Sequence, residues 1–146
     1  MEELPGGSTP SPAPKRPVLL TVLCSLTFLG SGLNIASGLM IALFIEPFRV
    51  VLGNIEKTFD LPGMEILKAA TPGFFFSTAL FYALSLTGAI LMWKLKKAGF
   101  HFYTIAQILL ILAPMYFLKM PGPSLLDIIL SGIFIILYSL HLKIMT

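Results

Sequence analysis

The sequence predicts an all-α membrane protein: an antiparallel bundle of four transmembrane helices with an amphipathic helix in its extracytoplasmic loop. Three observations predict it. Apolar residues make up 56% of the 146-residue chain and charged residues only 12%, against about 45–50% and about 25% in soluble domains. A soluble globule of this size keeps too much surface exposed to hide that much apolar area. The apolar residues fall into four long runs, and most of the charges lie between the runs. The length fits one domain, 18–146, preceded by a tail.

The tail, MEELPGGSTPSPAPKRP over 1–17, is rich in Pro, Gly and Ser and has almost nothing to bury, so it is expected to be disordered and cytoplasmic. Its PSPAP cluster is a weak match to the extended ligands of proline-reading partners.

The first span is expected over 18–45, which carries no charge and as a helix would reach ~42 Å, more than the ~30 Å of a hydrocarbon layer. It outruns the short apolar region of a signal peptide, and is read as an uncleaved span. Cys24, the only cysteine, excludes an intramolecular disulfide and is read as a small packing residue.

Thr71-Pro72 opens the second span, 72–93, with a cap followed by a proline at the first helical position, where its missing N–H costs nothing. The third, 100–118, contains Pro114, expected to bend it near the outer end. Ser124 and Asp127 open the fourth, 125–142, at the spacing of a reciprocal cap. Each run must be a helix, because an open strand edge in lipid leaves backbone groups unpaired.

Lys15, Arg16, Lys94, Lys96, Lys97 and Lys143 fall on one side of these spans, and Arg49, Lys57, Lys68 and Lys119 on the other. The shortest loop is the most basic, so the positive-inside rule puts both termini in the cytoplasm of a multi-pass protein of the cell inner membrane. In MWKLKKAGFHFY, residues 92–103, Lys94, Lys96, Lys97 and Trp93 are read as lipid headgroup contacts, with Phe100, Phe102 and Tyr103 completing an aromatic belt. The sharper alternative is an anionic-lipid or phosphate site, although such clusters usually hold about four to eight basic residues. No folded basic domain surrounds them, so nucleic acid is not an expected partner.

The outer loop, 46–71, contains Phe48, Val51, Leu52, Ile55 and Phe59 at i, i+3, i+4, i+7 and i+11, the apolar face of a helix that ends at Pro62-Gly63. A second short helical turn is expected over 64–70. The stripe either lies on the outer leaflet or faces a partner protein.

Within the spans, Gly30, Asn34 and Gly38, with Ser31 and Ser37, give the first helix a small face for close approach. Asn34 should face the bundle, because an unpaired amide in hydrocarbon costs several kcal/mol. Gln107 matches Ser85 and Thr87 in depth and is expected to bond one of them. These four polar residues, Asn34, Ser85, Thr87 and Gln107, either specify packing or line a cavity; Ser131 and Ser139 are further lining candidates. Asp127 is read as a cap rather than a buried transport carboxylate. His101 and His141 fall at the cytoplasmic boundary and are read as interfacial donors.

No catalytic residue is assigned. The predicted topology separates the histidines from Glu46, Glu56, Asp60, Glu65 and Asp127 by the bilayer, so no His–carboxylate pair can share a substrate. The chain has no metal-ligand spacing, phosphate loop, HExxH or GxSxG. Neither metal nor cofactor is expected, and the chain is not read as an enzyme.

The segments LMWKLKKAGFHFYTIAQ and LTFLGSGLNIASGL resemble the pattern of uncharacterised small four-span bacterial membrane proteins; the resemblance covers the spans and implies no substrate, cofactor or catalytic residue. The paired cysteines of quinone-coupled thiol oxidoreductases and the deep first-span glutamate of small multidrug carriers are both missing. The expected function is that of an accessory or scaffold subunit binding membrane lipids and another membrane protein. The alternative is a small transporter or channel formed by self-association.

Overall fold

The computed structural model describes residues 15, 17–59 and 64–146. The described residues are helical with no strand: α1 (Val18–Leu43), α2 (Ile45–Thr58), α3 (Met64–Ala69), α4 (Pro72–Trp93), α5 (Ala98–Phe117) and α6 (Leu125–Ser139), followed by a 3-10 turn over Leu142–Ile144. Four helical stretches, Val18–Leu43, Pro72–Trp93, Ala98–Phe117 and Leu125–Ile144, are long and apolar enough to cross a membrane. The expected tail lies outside the described residues, apart from Lys15 and Pro17. Pro62 and Gly63 lie outside them as well.

The expected boundaries hold where the chain is strongly punctuated and drift where it is not. α4 keeps both ends, between Pro72 and the lysine turn. α1 stops at Leu43, because Phe44 leaves helical geometry (φ −116°, ψ 46°) and α2 starts directly after it. α5 begins earlier, at Ala98, on an Ala-Gly pair that holds no breaker strong enough to delay it. Neither Thr71 nor Ser124 makes the expected side-chain cap bond, although each occupies the N-cap position. At α4 the Phe74 N–H, a donor such a cap would satisfy, bonds the Thr71 carbonyl at 3.0 Å instead. At α6 the Asp127 side chain borders a cavity.

α1 packs along α4, and α4 along α5, while α6 touches α5 and α1 more sparingly. The α4–α5 contact is backbone on backbone. A Cβ at Gly88 would lie 2.7 Å from the Tyr103 nitrogen, and one at Gly99 would lie 2.5 Å from the Gly88 oxygen. Of the two glycines of the small face expected on α1, Gly38 approaches a neighbour, with a Cβ site 3.2 Å from the Phe75 oxygen, and Gly30 has nothing within 4 Å. The close approach therefore sits mainly on the α4–α5 pair, where glycines on both helices face each other.

The turn between those helices is closed by Lys96 N–H donating to the Leu91 carbonyl at 2.9 Å and Leu95 N–H to the Met92 carbonyl at 2.9 Å. This is the double bond pattern of a Schellman cap, with Leu95 in the left-handed conformation (φ 58°) that glycine usually takes. Thr146 N–H donates to the Leu95 carbonyl at 2.8 Å, and Lys97 N–H to the Thr146 carbonyl at 3.0 Å. Residue 146 is thus fastened to the lysine turn.

The hydrophobic core lies at that same end, built from Leu20, Leu23, Cys24, Met92, Tyr103, Tyr138 and Met145. Elsewhere polarity is inverted. Thr27, Ser31, Ser85 and Ser131 are buried, while Leu29, Leu33, Leu80, Ile105, Ile108, Ile133 and Ile136 are exposed. A water-soluble bundle arranges these the other way round.

At the opposite end, α2 lies against α3. Arg49 bonds Glu46 (3.3 Å) and the Ala70 carbonyl (3.4 Å), and Lys68 pairs with Glu56. The apolar stripe of α2 divides: Leu52 is buried and Phe48 packs edge-on against Phe75 of α4 (centroids 5.7 Å), whereas Val51, Ile55 and Phe59 are exposed.

Candidate functional site: an axial polar cavity

Each long helix carries polar residues at a spacing that returns to one face after two turns. On α1 they are Thr27, Ser31 and Asn34; on α4, Thr78, Tyr82 and Ser85; on α5, Tyr103 and Gln107; on α6, Asp127 and Ser131. Steps of four and three residues keep such side chains on one stripe. The four stripes face one another around a cavity of about 420 Å³, inside the roughly 300–1,000 Å³ range of small-molecule sites. Apolar side chains, among them Phe74, Leu110, Ile111 and Phe134, complete the wall.

A buried hydroxyl pair lies at one end of the cavity. The Tyr138 hydroxyl and Thr27 Oγ1 lie 2.8 Å apart, both buried, and the Tyr138 ring meets Tyr103 at 4.9 Å in a tilted edge contact of 66°. Behind them Cys24 is fully buried, its Sγ 3.8 Å from the Ala89 carbonyl. Asp127, in the first turn of α6, borders the cavity about 16 Å further along the helix from Tyr138, by the rise of 1.5 Å per residue. Its carboxylate is exposed and close enough to Tyr82 to interact electrostatically.

The structure redistributes the polar residues expected to matter. Gln107 does line the cavity, but its Oε1 accepts from Ser131 Oγ at 2.8 Å, so its partner is on α6 rather than Ser85 or Thr87 of α4. The Gly88–Gly99 contact sets the rotation of α5 against α4 and leaves Thr87 outside the cavity, exposed and bonded to the Ala83 carbonyl at 2.9 Å. Ser85 lines the cavity, is 0% exposed, and its hydroxyl has no hydrogen-bond partner among the described residues. Asn34 lines it too, bonding the Gly30 carbonyl of its own helix at 2.8 Å. Ser139 bonds the Ile136 carbonyl and is not part of the lining.

The residues read as headgroup contacts also divide. Lys94, Lys96 and Lys97 are exposed. Trp93 is half-buried against the core, 5.7 Å from Phe28, and Tyr103, expected in the aromatic belt, is core and cavity wall. Tyr103 follows Gly99 by one helical turn, so the close glycine contact turns it inward and leaves Phe102 outward.

Thr27, Thr78 and Tyr82 were not singled out by the sequence reading, although their spacing to Ser31, Ser85 and one another is the signal that finds them. Comparison with protein-family models gives no match, and no curated protein or solved structure is significantly similar to the chain.

Proposed function

We propose that the chain is an integral membrane protein, four spans in antiparallel order with both termini cytoplasmic, and that it acts as a binding subunit rather than an enzyme or a pore. Its exposed aliphatic side chains suit lipid, and the lysine turn, residue 146 and the start of α1 gather at one end, the arrangement the positive-inside rule associates with the cytoplasmic face.

One observation carries the functional reading: a cavity lined by polar residues of all four long helices in an otherwise apolar bundle, with the buried Thr27–Tyr138 pair at one end and Asp127 at some distance from it. Hydroxyl and amide groups inside hydrocarbon are costly, and they persist where they face a partner or a ligand. The buried Thr27–Tyr138 pair and the hydrophobic core beyond it lie at one end, which suits holding a ligand better than conducting one. The exposed faces of α6 and α2 offer this subunit room for a neighbouring membrane protein.

Purification of tagged protein in a mild detergent, followed by mass spectrometry of co-purifying lipids, small molecules and proteins, tests this. A stoichiometric companion is expected. Isolation as a bare homo-oligomer that conducts solutes in liposomes would overturn it in favour of a self-associated transporter.

A further inference from the structure

We infer that the cavity receives the ammonium group of an amine-bearing ligand, with Asp127 as its counter-ion; this names the ligand class of the site just proposed and rests on that reading. The charge balance of the lining decides the sign. Among the described residues Asp127 is the only acidic one in the lining, and no Lys, Arg or His borders the cavity. An anion entering would meet the like charge of Asp127 with no cation among the described lining residues to offset it. A cation meets a charge of opposite sign, and the rings of Phe74, Tyr82 and Phe134 add faces on which an ammonium group is attracted.

The rest of the ligand has partners as well. Ser85 holds a buried hydroxyl with no bond to any described residue, which a ligand polar group would satisfy. Gln107 and Ser131, already paired, keep a free amide NH2 and free oxygen lone pairs for a second partner. A divalent metal ion is a poorer match, since hard cations gather several oxygen ligands and more charge than one carboxylate brings.

The ammonium group has two sources, a free amine or the headgroup of an aminolipid. A zwitterionic lipid brings its phosphate alongside, for which the lining offers no cation, so the free amine fits the charge balance better.

The test measures thermal unfolding of the full chain in a non-ionic detergent with cyclohexylammonium chloride, cyclohexanol and sodium cyclohexanecarboxylate. The melting temperature should rise with the logarithm of cyclohexylammonium concentration, as for any ligand of the folded state, and Asp127→Asn should abolish that rise. Its carboxylate is exposed, so the unliganded variant should melt close to wild type. Equal protection by cyclohexanol, or protection retained in Asp127→Asn, overturns the ammonium assignment while leaving a ligand cavity. Gly30→Phe separates the broader reading: Gly30 borders the cavity with open space around its Cβ position, so the ring should plug it. If no compound protects wild type more than Gly30→Phe, the cavity reading fails as well. In lipid nanodiscs, an Asp127-dependent stabilisation by phosphatidylethanolamine over phosphatidylglycerol identifies the headgroup as source. Its absence, with cyclohexylammonium still protective, identifies a free amine; both outcomes support the ammonium site.

Discussion

The hydroxyls of Thr27 and Tyr138 lie 2.8 Å apart and join α1 to α6 at the floor of the cavity. The two partners are not equivalent. Without Tyr138, the Thr27 hydroxyl can turn back to a carbonyl of its own helix, as threonines in helices commonly do. Without Thr27, the Tyr138 phenol cannot reach a carbonyl of its own helix and keeps only the Cys24 thiol, a weak partner. Tyr138→Phe should therefore cost about 0.5–1.5 kcal/mol, the net worth of a hydrogen bond, and Thr27→Val more, up to about 3 kcal/mol, because it leaves a buried phenol on a weak thiol partner. Unfolding of both variants in detergent checks this; equal losses, or a larger loss for Tyr138→Phe, would show that the phenol has another sufficient partner.

Gly88 and Gly99 set the α4–α5 distance. With Cβ sites 2.5–2.8 Å from backbone atoms of the neighbouring helix, Gly88→Ala or Gly99→Ala must push the helices apart, an overpacking expected to cost at least about 1–3 kcal/mol. Gly30→Ala meets nothing within 4 Å and should be neutral or stabilising by up to about 1 kcal/mol, because alanine is the better helix former. Melting temperatures of the three variants should fall into these two groups. A Gly30→Ala protein as unstable as Gly88→Ala would return the close contact to α1.

These glycines also explain what could and could not be read in advance. The four long helices were legible because uncharged runs of such length have few alternatives, and the ends of α4 were legible because Pro72 and Lys94 mark them. The partner of Gln107 was not legible, since depth along the bundle ranks Ser85, Thr87 and Ser131 alike; only the rotation imposed at Gly88 and Gly99 selects Ser131. The axial stripes were present in the spacing of Thr27, Ser31 and Asn34, but polar residues in a span read equally well as packing contacts until neighbouring helices are seen to leave space between them.

The Gln107–Ser131 bond ties α5 to α6, which otherwise pack lightly. Gln107→Leu and Ser131→Ala should each lower thermal stability, and a double-mutant cycle should return a coupling of about 0.6–1.7 kcal/mol, the range found for polar contacts between helices in membranes. A cycle of Gln107→Leu with Thr87→Val should be additive within about 0.5 kcal/mol, because Thr87 lies outside the cavity and bonds the Ala83 carbonyl of its own helix. Coupling to Thr87 in place of Ser131 would mean that α5 is rotated from the position described.

The proposed orientation rests on the lysine turn facing the cytoplasm, and cysteine labelling in intact cells addresses it with little background. The native Cys24 is fully buried in the core, so a membrane-impermeant maleimide should leave the parent protein unmodified. Ala98, at the start of α5 beside Lys97, and Glu65, in α3 beyond the other end of the bundle, are both exposed. Ala98→Cys should react only after the membrane is permeabilised, and Glu65→Cys should react in intact cells. Rapid reaction of Ala98→Cys in intact cells, with Glu65→Cys protected, would invert the topology. The lysines would then lie outside, and Asp127 would face ligands arriving from the cytoplasm.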